Sequence, residues 1–587
     1  MNVLGIHYGH NATAALVKDG QLVFALSEER LNRLKNSNGF PDKVVDYIYS
    51  HYLKPEEVDV AVMFQKDIVG YADMKRNRFQ SVRNFGVGNI NFNRSYSLKR
   101  HLLAKTPGYF VARRIAGKLR HSWQELSLAN EALKYYAAAC RLPKEKILFS
   151  RHHASHALAC VPNLNPTVQT LVFTMDGEGD GESSTVSVYE QYKLKKLSSN
   201  PVRVSLGYFF TEITKLLGMI PNEHEFKVMG LAPYAKQERA ENLYERLQGL
   251  VTLNDNLEFV SKYPINRLEY ILFEQLYNQR FDTVAAFAQI FLEKKVLQWV
   301  RAWIAKTNIH NLALGGGVFM SVKLNQKILE LPEVENLYVM PSAADESTAI
   351  GAAVHGVLEL SKQKRVVPHF EPITHLNLGI AYDENSISQA MEKYQGNFNV
   401  QKFASTLEAN RAAAELLASG EVVARFSGRN EWGARALGNR SILAHAGNRD
   451  TVRVINEMIK NRDFWMPFAA SVLEEDSERY LKNPKRMPAP FMAVTFNTAP
   501  VAAKDLAAAI HPYDFTCRPQ VVSKSQNSGY HELISEFKKI TGIGGILNTS
   551  FNLHGEPNVQ TPQDALRTLQ LSGLRYVLFD TLLVSKK

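Results

Sequence analysis

The chain has 587 residues, 45% hydrophobic and 22% charged, with a formal net charge of +11. That length exceeds what one core can hold, so two domains or more are expected, and the composition is that of an ordinary globular protein. The excess charge is local. From Lys75 to Arg120 there are twelve Lys/Arg and no Asp/Glu, leaving 57 basic against 58 acidic residues elsewhere.

Cys140, Cys160 and Cys517 lie far apart. They make neither a metal-type pair nor a disulfide framework, so a reducing compartment is expected. No run approaches the ~18 apolar residues of a membrane span. The first six residues read as a strand, without the basic start, apolar core or cleavage site of a signal peptide. A cytoplasmic location is therefore expected.

Residues 3–8 form a predicted strand, residues 9–13 a small polar turn and residues 14–17 a second strand. Lys18-Asp19-Gly20 is a tight-turn signal before a third strand over 21–26. Strand–turn–strand with a small polar turn is how actin-like and sugar-kinase folds approach a phosphate. The charged stretch from Ser27 to Lys35 is either a solvated turn or one that offers Arg33 and Lys35 to a phosphate as charge-assisted donors. The basic stretch reads as an insertion over about residues 70–122, with Phe79, Phe85, Phe92, Tyr96, Tyr109 and Phe110 between its charges. It suits a solvated excursion, an acceptor-site lid or a surface for an anionic partner.

His152 and His156 stand four residues apart, a spacing that stacks both imidazoles on one helix face, with His153 beside them. The apolar run over 171–175 ends in Asp176 and a turn with three glycines, beginning at Gly177, where a backbone can approach a ligand closely. A metal ion that in turn holds a nucleotide is expected here. A calcium loop is excluded because the twelve-position ligand pattern is missing. Residues 283–306 have helical apolar spacing. A buried strand over 311–314 then ends in Gly315-Gly316-Gly317, with helix-compatible residues to Asn325. That is either an anion-binding arrangement or a close-packed turn. Asp345, before a small-residue helix start, is an N-cap or a fourth metal ligand. A charged, Pro-containing linker around 361–368 sets the domain boundary.

The second domain packs Arg425, Arg429, Arg435 and Arg440 with three glycines into seventeen residues, followed by Lys460, Arg462 and Arg518. Arginine forks match phosphate and carboxylate groups bidentately, and the glycines favour close ligand approach over a surface loop. Residues 544–552 read as a strand entering a polar turn. Asn548 and Ser550 there could read a carbonyl or a base.

Motifs spread along nearly the whole chain resemble one family. They are His10 to Ala15, Glu28-Glu29-Arg30, His152 to His156, Asp176-Gly177, Lys227 to Tyr234, Gly316-Gly317 and Asp345 to Ala353. In the second domain they are Arg435 to Ser441, Asn548 to Asn552 and Glu556-Pro557. In this order they are similar to the O-carbamoyltransferases of the nodulation, tobramycin and cephamycin type. The resemblance implies an α/β protein. Residues 1–365 would be a duplicated actin-like (sugar-kinase-type) domain, similar to the universal tRNA threonylcarbamoyl-transfer enzyme. Residues 366–587 would be a YrdC-like α/β domain.

The resemblance also implies a division of labour. Carbamoyl phosphate and ATP would react in the second domain to give carbamoyl-adenylate and pyrophosphate. Arg435, Arg440, Lys460, Arg462, Arg518, Asn548 and Ser550 would hold them. An acceptor hydroxyl would then attack the carbamoyl carbon in the first domain, with His10 as base and Lys35 near the same pocket. The nucleotide phosphates would lie on an iron(II)-type site of His152, His156, Asp176 and Asp345, against Gly177, Gly315, Gly316, Gly317 and Asn325. The implied acceptor is a small molecule or sugar with a free hydroxyl in a biosynthetic tailoring step. No stable nucleic-acid partner is expected, and a homodimer is left open.

Some positions depart from the family pattern. Asn11 stands for an Asp, Ala434 for a Pro, Met466 for an Arg and His554 for a basic residue. Two lost charges bear on the donor site. Either Arg429 or Lys460 compensates, or the branch uses a different activated acyl donor. Two other readings are a tRNA threonylcarbamoyl-type transferase, suggested by the basic insertion, and a catalytically weakened nucleotide-binding partner, suggested by Met466 and His554.

Overall fold

The computed structural model describes residues 1–64, 131–263, 265–394, 396–460 and 463–587. The basic insertion lies outside these residues, apart from its surroundings, and so does Arg462. Two five-stranded sheets form the first part of the fold. The first comprises β1 (Asn2–His7), β2 (Thr13–Lys18), β3 (Gln21–Ser27), β4 (Val60–Met63) and β5 (Ile147–Phe149), in the spatial order β3-β2-β1-β4-β5. The second comprises β6 (Thr170–Gly179), β7 (Glu182–Glu190), β8 (Lys193–Pro201), β9 (Asn311–Gly315) and β10 (Asn336–Val339), in the order β8-β7-β6-β9-β10. In each sheet the first three strands are antiparallel neighbours, and the last two join in parallel. The same order and the same strand directions occur twice, which is the duplication expected of an actin-like domain.

The apolar sequence of these strands explains their place. Leu4, Ile6, Leu171, Val172, Phe173, Leu312 and Leu314 are all at most 1% exposed, as strands covered on both faces must be. The His152–Cys160 and Ser347–Lys364 helices pack together between the sheets. Their approach depends on Gly351, where a Cβ atom would come within 1.7 Å of the Ser155 carbonyl oxygen. This close contact brings the first turns of the two helices side by side. Asp176 lies near the end of β6, and Gly315 closes β9, so the cleft at these strand ends gathers the polar residues.

A third large sheet has eight strands: β11 (Phe398–Lys402), β12 (Val423–Phe426), β13 (Arg440–Ala444), β14 (Ala469–Leu473), β15 (Pro519–Val522), β16 (Gly545–Ser550), β17 (Tyr576–Phe579) and β18 (Leu582–Lys586). Their order is β11-β18-β17-β12-β13-β16-β14-β15, with both parallel and antiparallel pairs. The Thr406–Ala418 and Ser528–Thr541 helices pack on it through Ala409, Ala413, Leu417, Leu533, Ile534 and Phe537. No helix among the described residues is long and apolar enough to cross a membrane.

Arginines from both sides fasten this sheet to the first. Arg429 donates to the carbonyls of Val23, Leu378 and Gly379 and to the Tyr52 hydroxyl. Arg30 donates to the Gly433 carbonyl at 3.0 Å, and Lys227 pairs with Asp463 at 2.9 Å. Arg429 therefore serves the junction between the two parts, not the loss of a basic residue at Met466. Met466 itself is buried, with its sulfur packed near Gly230 across the same junction.

Candidate active site

The four residues expected at a metal centre meet. His152 and His156 project from the first turn and a half of their helix, Asp176 enters from near the end of β6, and Asp345 enters from the turn before the Ser347–Lys364 helix. One ligand atom from each lies within 4.8 Å of all the others. His156 Nε2 is 3.2 Å from Asp176 Oδ2, 3.6 Å from Asp345 Oδ1 and 3.1 Å from His152 Nε2. His152 Nε2 is 3.7 Å from Asp345 Oδ1. Of the two readings of Asp345, the ligand reading matches its orientation. It caps no backbone amide through its side chain, and its carboxylate faces the imidazoles.

Neighbouring groups hold the four in this pose. The amide of Gly177 donates to Asp176 Oδ1 at 2.6 Å, and that of Gly317 to Asp176 Oδ2 at 2.8 Å. His156 Nδ1 is 3.1 Å from the Ser347 hydroxyl, which leaves Nε2 aimed at the cluster. Asp180 Oδ2 accepts from the His152 amide at 2.7 Å and satisfies the helix start. His153 turns away. Its Nδ1 lies 2.9 Å from the Thr174 hydroxyl, and its Nε2 donates to the Glu182 carbonyl at 3.1 Å. Burial and the two adjacent imidazoles push its pKa down to about 3, so it is a neutral packing residue.

The electrostatics match a cation site. Burial works to lower the pKa of His156, but Asp176 and Asp345 overcome it and raise the value to about 9. Burial opposes ionisation of Asp345 too, yet the surrounding imidazoles hold its carboxyl well below the usual range. A proton on His156 thus occupies the place a metal ion would take. Two imidazole nitrogens and two carboxylate oxygens suit a divalent transition metal better than calcium or magnesium. Because the metal must displace that proton, its affinity should rise by about tenfold per pH unit below pH 9. Calorimetric titration with Mn(II) at pH 6.5 and 7.5 checks this, and equal affinities would argue against the cluster as the binding site.

The triple glycine is first of all a packing device. Gly316 has φ 98°, and a Cβ there would stand 2.4 Å from the Met175 carbonyl oxygen. A Cβ on Gly315 would stand 2.8 Å from the His156 carbonyl oxygen. The turn therefore lies directly against two ligand-bearing segments. Asn325 is fully buried and donates to the carbonyls of Phe319 and Ala493. Its amide nitrogen thus ties this turn to the far side of the junction.

His10 lies on a two-residue strand, Gly9–His10, opposite Asn38–Gly39. Lys35 Nζ donates to Glu223 Oε1 at 2.6 Å. Burial would raise the pKa of Glu223, but Lys35 lowers it, with smaller contributions from His224 and His10. Sequence reasoning passed over His7. Its Nε2 donates to the His10 carbonyl at 2.6 Å, and its Nδ1 lies 2.7 Å from the Thr348 hydroxyl. Burial pushes the His7 pKa down to about 4, so the ring is neutral. His7 therefore joins the His10 backbone to the turn that carries Asp345. The alternation of β1 gives no hint of this role.

The second-domain residues do not form one group. Lys460 Nζ donates to the Ser550 carbonyl, to its hydroxyl at 3.1 Å and to Asn552. Arg518 lines a cavity of about 50 Å³ with Lys323, Phe468, Thr495, His511 and Thr516. Arg435 stands apart beside Phe319, Met320 and Pro341, within reach of the charge of Glu346. Arg440 is fully buried. Its guanidinium donates to the carbonyls of Ser427, Gly428 and Asn439 and lies 3.6 Å from the centre of the Phe426 ring. Asn548 is buried with Ser471 and Gln520 across three neighbouring strands, with Nδ2 donating at 3.0 and 3.2 Å. Arg440 and Asn548 therefore brace the strand ends from within.

Comparison with known proteins is consistent along the chain. The family model described as carbamoyltransferase N-terminus matches residues 2–354, and the one described as carbamoyltransferase C-terminus matches residues 414–586. Nodulation protein NolNO of Sinorhizobium fredii is 31% identical over 98% of this chain and 79% of its own length. The protein MJ1051 of Methanocaldococcus jannaschii, of uncharacterised function, is 29% identical over 100% of this chain and 99% of its own. Among solved structures, full-length HypF in its phosphate- and nucleotide-bound form aligns with a TM-score of 0.33 and 13% identity. That alignment covers 62% of this chain and 46% of HypF, a likeness too distant to bear on function.

Proposed function

The chain belongs to the carbamoyltransferase family, a family of transferase enzymes, and from that premise we propose that it carbamoylates a hydroxyl of a small molecule or sugar. The observation that carries this reading is the convergence of His152, His156, Asp176 and Asp345 at the strand ends of a duplicated domain, with His10 and the Lys35–Glu223 pair at the same end. Residues 1–365 are the transfer unit, and residues 366–587 are the YrdC-like unit that prepares the donor.

In the second unit water takes the phosphoryl group of carbamoyl phosphate, so that its P–O bond breaks and phosphate and carbamate form. A carbamate oxygen then bonds to the α-phosphorus of ATP as the bond to pyrophosphate breaks and pyrophosphate leaves. Lys460, held against Ser550 and Asn552, and Arg518 at the junction cavity supply the positive charge there. In the first unit the acceptor oxygen forms a bond to the carbamoyl carbon, its proton passes to His10, and AMP departs. His152, His156, Asp176 and Asp345 would hold a divalent metal, iron(II) by family resemblance, and it would supply positive charge for the nucleotide phosphates. His7 keeps the His10 backbone in register with that centre. Carbamoyl-phosphate-dependent exchange of labelled pyrophosphate into ATP tests the donor half. Exchange is expected, and ATP exchange that ignores carbamoyl phosphate would contradict the reading.

A further inference from the structure

The turn that carries Lys35 is gripped from the other domain. Arg33 Nη1 donates to the Asn558 carbonyl at 2.6 Å, and Nη2 donates to the Pro557 carbonyl at 2.9 Å. Its Nε lies 3.5 Å from Asp564, and Nη2 lies 3.9 Å from Glu556. Residues 557 and 558 are not an arbitrary piece of surface. Asn552 donates to the Glu556 carbonyl at 2.7 Å, and the Ser550 hydroxyl donates to Asn552 at 2.6 Å. Lys460 holds both Ser550 and Asn552. On the other side, Arg33 and Asn36 both have left-handed backbones, with φ 60° and 53°. Between them stands Lys35 on Glu223. Few non-glycine residues adopt that conformation; the Asn36 amide donates to Glu29 Oε2 at 2.9 Å, so Arg33 and Glu29 hold the two ends of the turn.

We propose that Arg33 is a positioning residue that sets the Lys35 turn according to the position of the Ser550–Asn558 loop. The inference rests on reading Lys460, Ser550 and their neighbours as the donor site. Both Arg33 hydrogen bonds go to main-chain oxygens, so they register where the 557–558 backbone lies. A loop displacement of about 1 Å would lengthen both beyond hydrogen-bonding range. Ligand that fixes the loop therefore fixes Lys35, and the acceptor pocket is complete when the donor site is filled.

Hydrogen–deuterium exchange of the full chain tests this without knowledge of the acceptor. The probe is carbamoyl phosphate alone, with a chelator present, so that nothing binds through the metal cluster. At ten times its Kd it should slow exchange by about tenfold in residues 546–560, and in residues 29–40 as well. Arg33→Ala should keep the first effect and lose the second. Arg33→Lys, which can reach one carbonyl, should keep part of it, and it serves in its place if the alanine variant does not fold. Slowing of residues 29–40 that is equal in both variants and wild type would overturn the proposal. So would its absence in wild type while residues 546–560 respond. If residues 546–560 fail to respond in wild type, the donor-site reading falls and takes the inference with it.

Discussion

Replacing His156 with alanine should abolish metal binding and carbamoyl transfer while leaving pyrophosphate release from ATP and carbamoyl phosphate intact. His156 is the centre of the cluster, since its Nε2 is within 3.6 Å of the other three ligand residues. Removing an outer-shell partner typically costs about 10–100-fold in metal affinity, and loss of the central ligand should exceed that. Because His156 is fully buried, the substitution also leaves a small hole. Asp345→Asn keeps the shape and removes one charge, so it should weaken metal binding in the same direction without that complication. Metal analysis of the purified variants and a pyrophosphate assay separate the two halves. Parallel loss of both activities in a folded Asp345→Asn protein would contradict the division between the domains.

His10→Ala should lower transfer by about 10²–10⁴-fold, the range expected for loss of a positioned general base, with metal content and pyrophosphate release unchanged. The side chain is not part of the core. It sits on a short strand whose backbone is fixed from behind by His7, so alanine should leave the fold in place. The intermediate should then leave the enzyme and decay, giving AMP without carbamoylated product. Transfer at the wild-type rate would mean that another group takes the hydroxyl proton.

Local pattern made the centre of the site legible. The i, i+4 histidines, the aspartate at a strand end and the glycine turn are features of short segments, and each appears where its segment placed it. The second domain was harder because arginine chemistry does not reveal its partner. A guanidinium serves a phosphate or three carbonyls equally well, and Arg440 serves carbonyls beneath the Phe426 ring. Arg33, read as either solvated or a phosphate donor, meets main-chain oxygens more than 500 positions away. Asn325 looked like part of an anion turn but is buried in the junction. His7 and Glu223 were missed for the same reason. Their roles depend on Thr348 and Lys35, partners brought together by tertiary folding with no mark in the nearby sequence.

The most direct measurement is mass spectrometry of the protein mixed with ATP, magnesium and isotope-labelled carbamoyl phosphate, without an acceptor. Carbamoyl-adenylate carrying the label should appear together with pyrophosphate, in wild type and in His10→Ala alike. ATP cleaved to ADP and phosphate with no labelled adenylate would contradict the proposed chemistry.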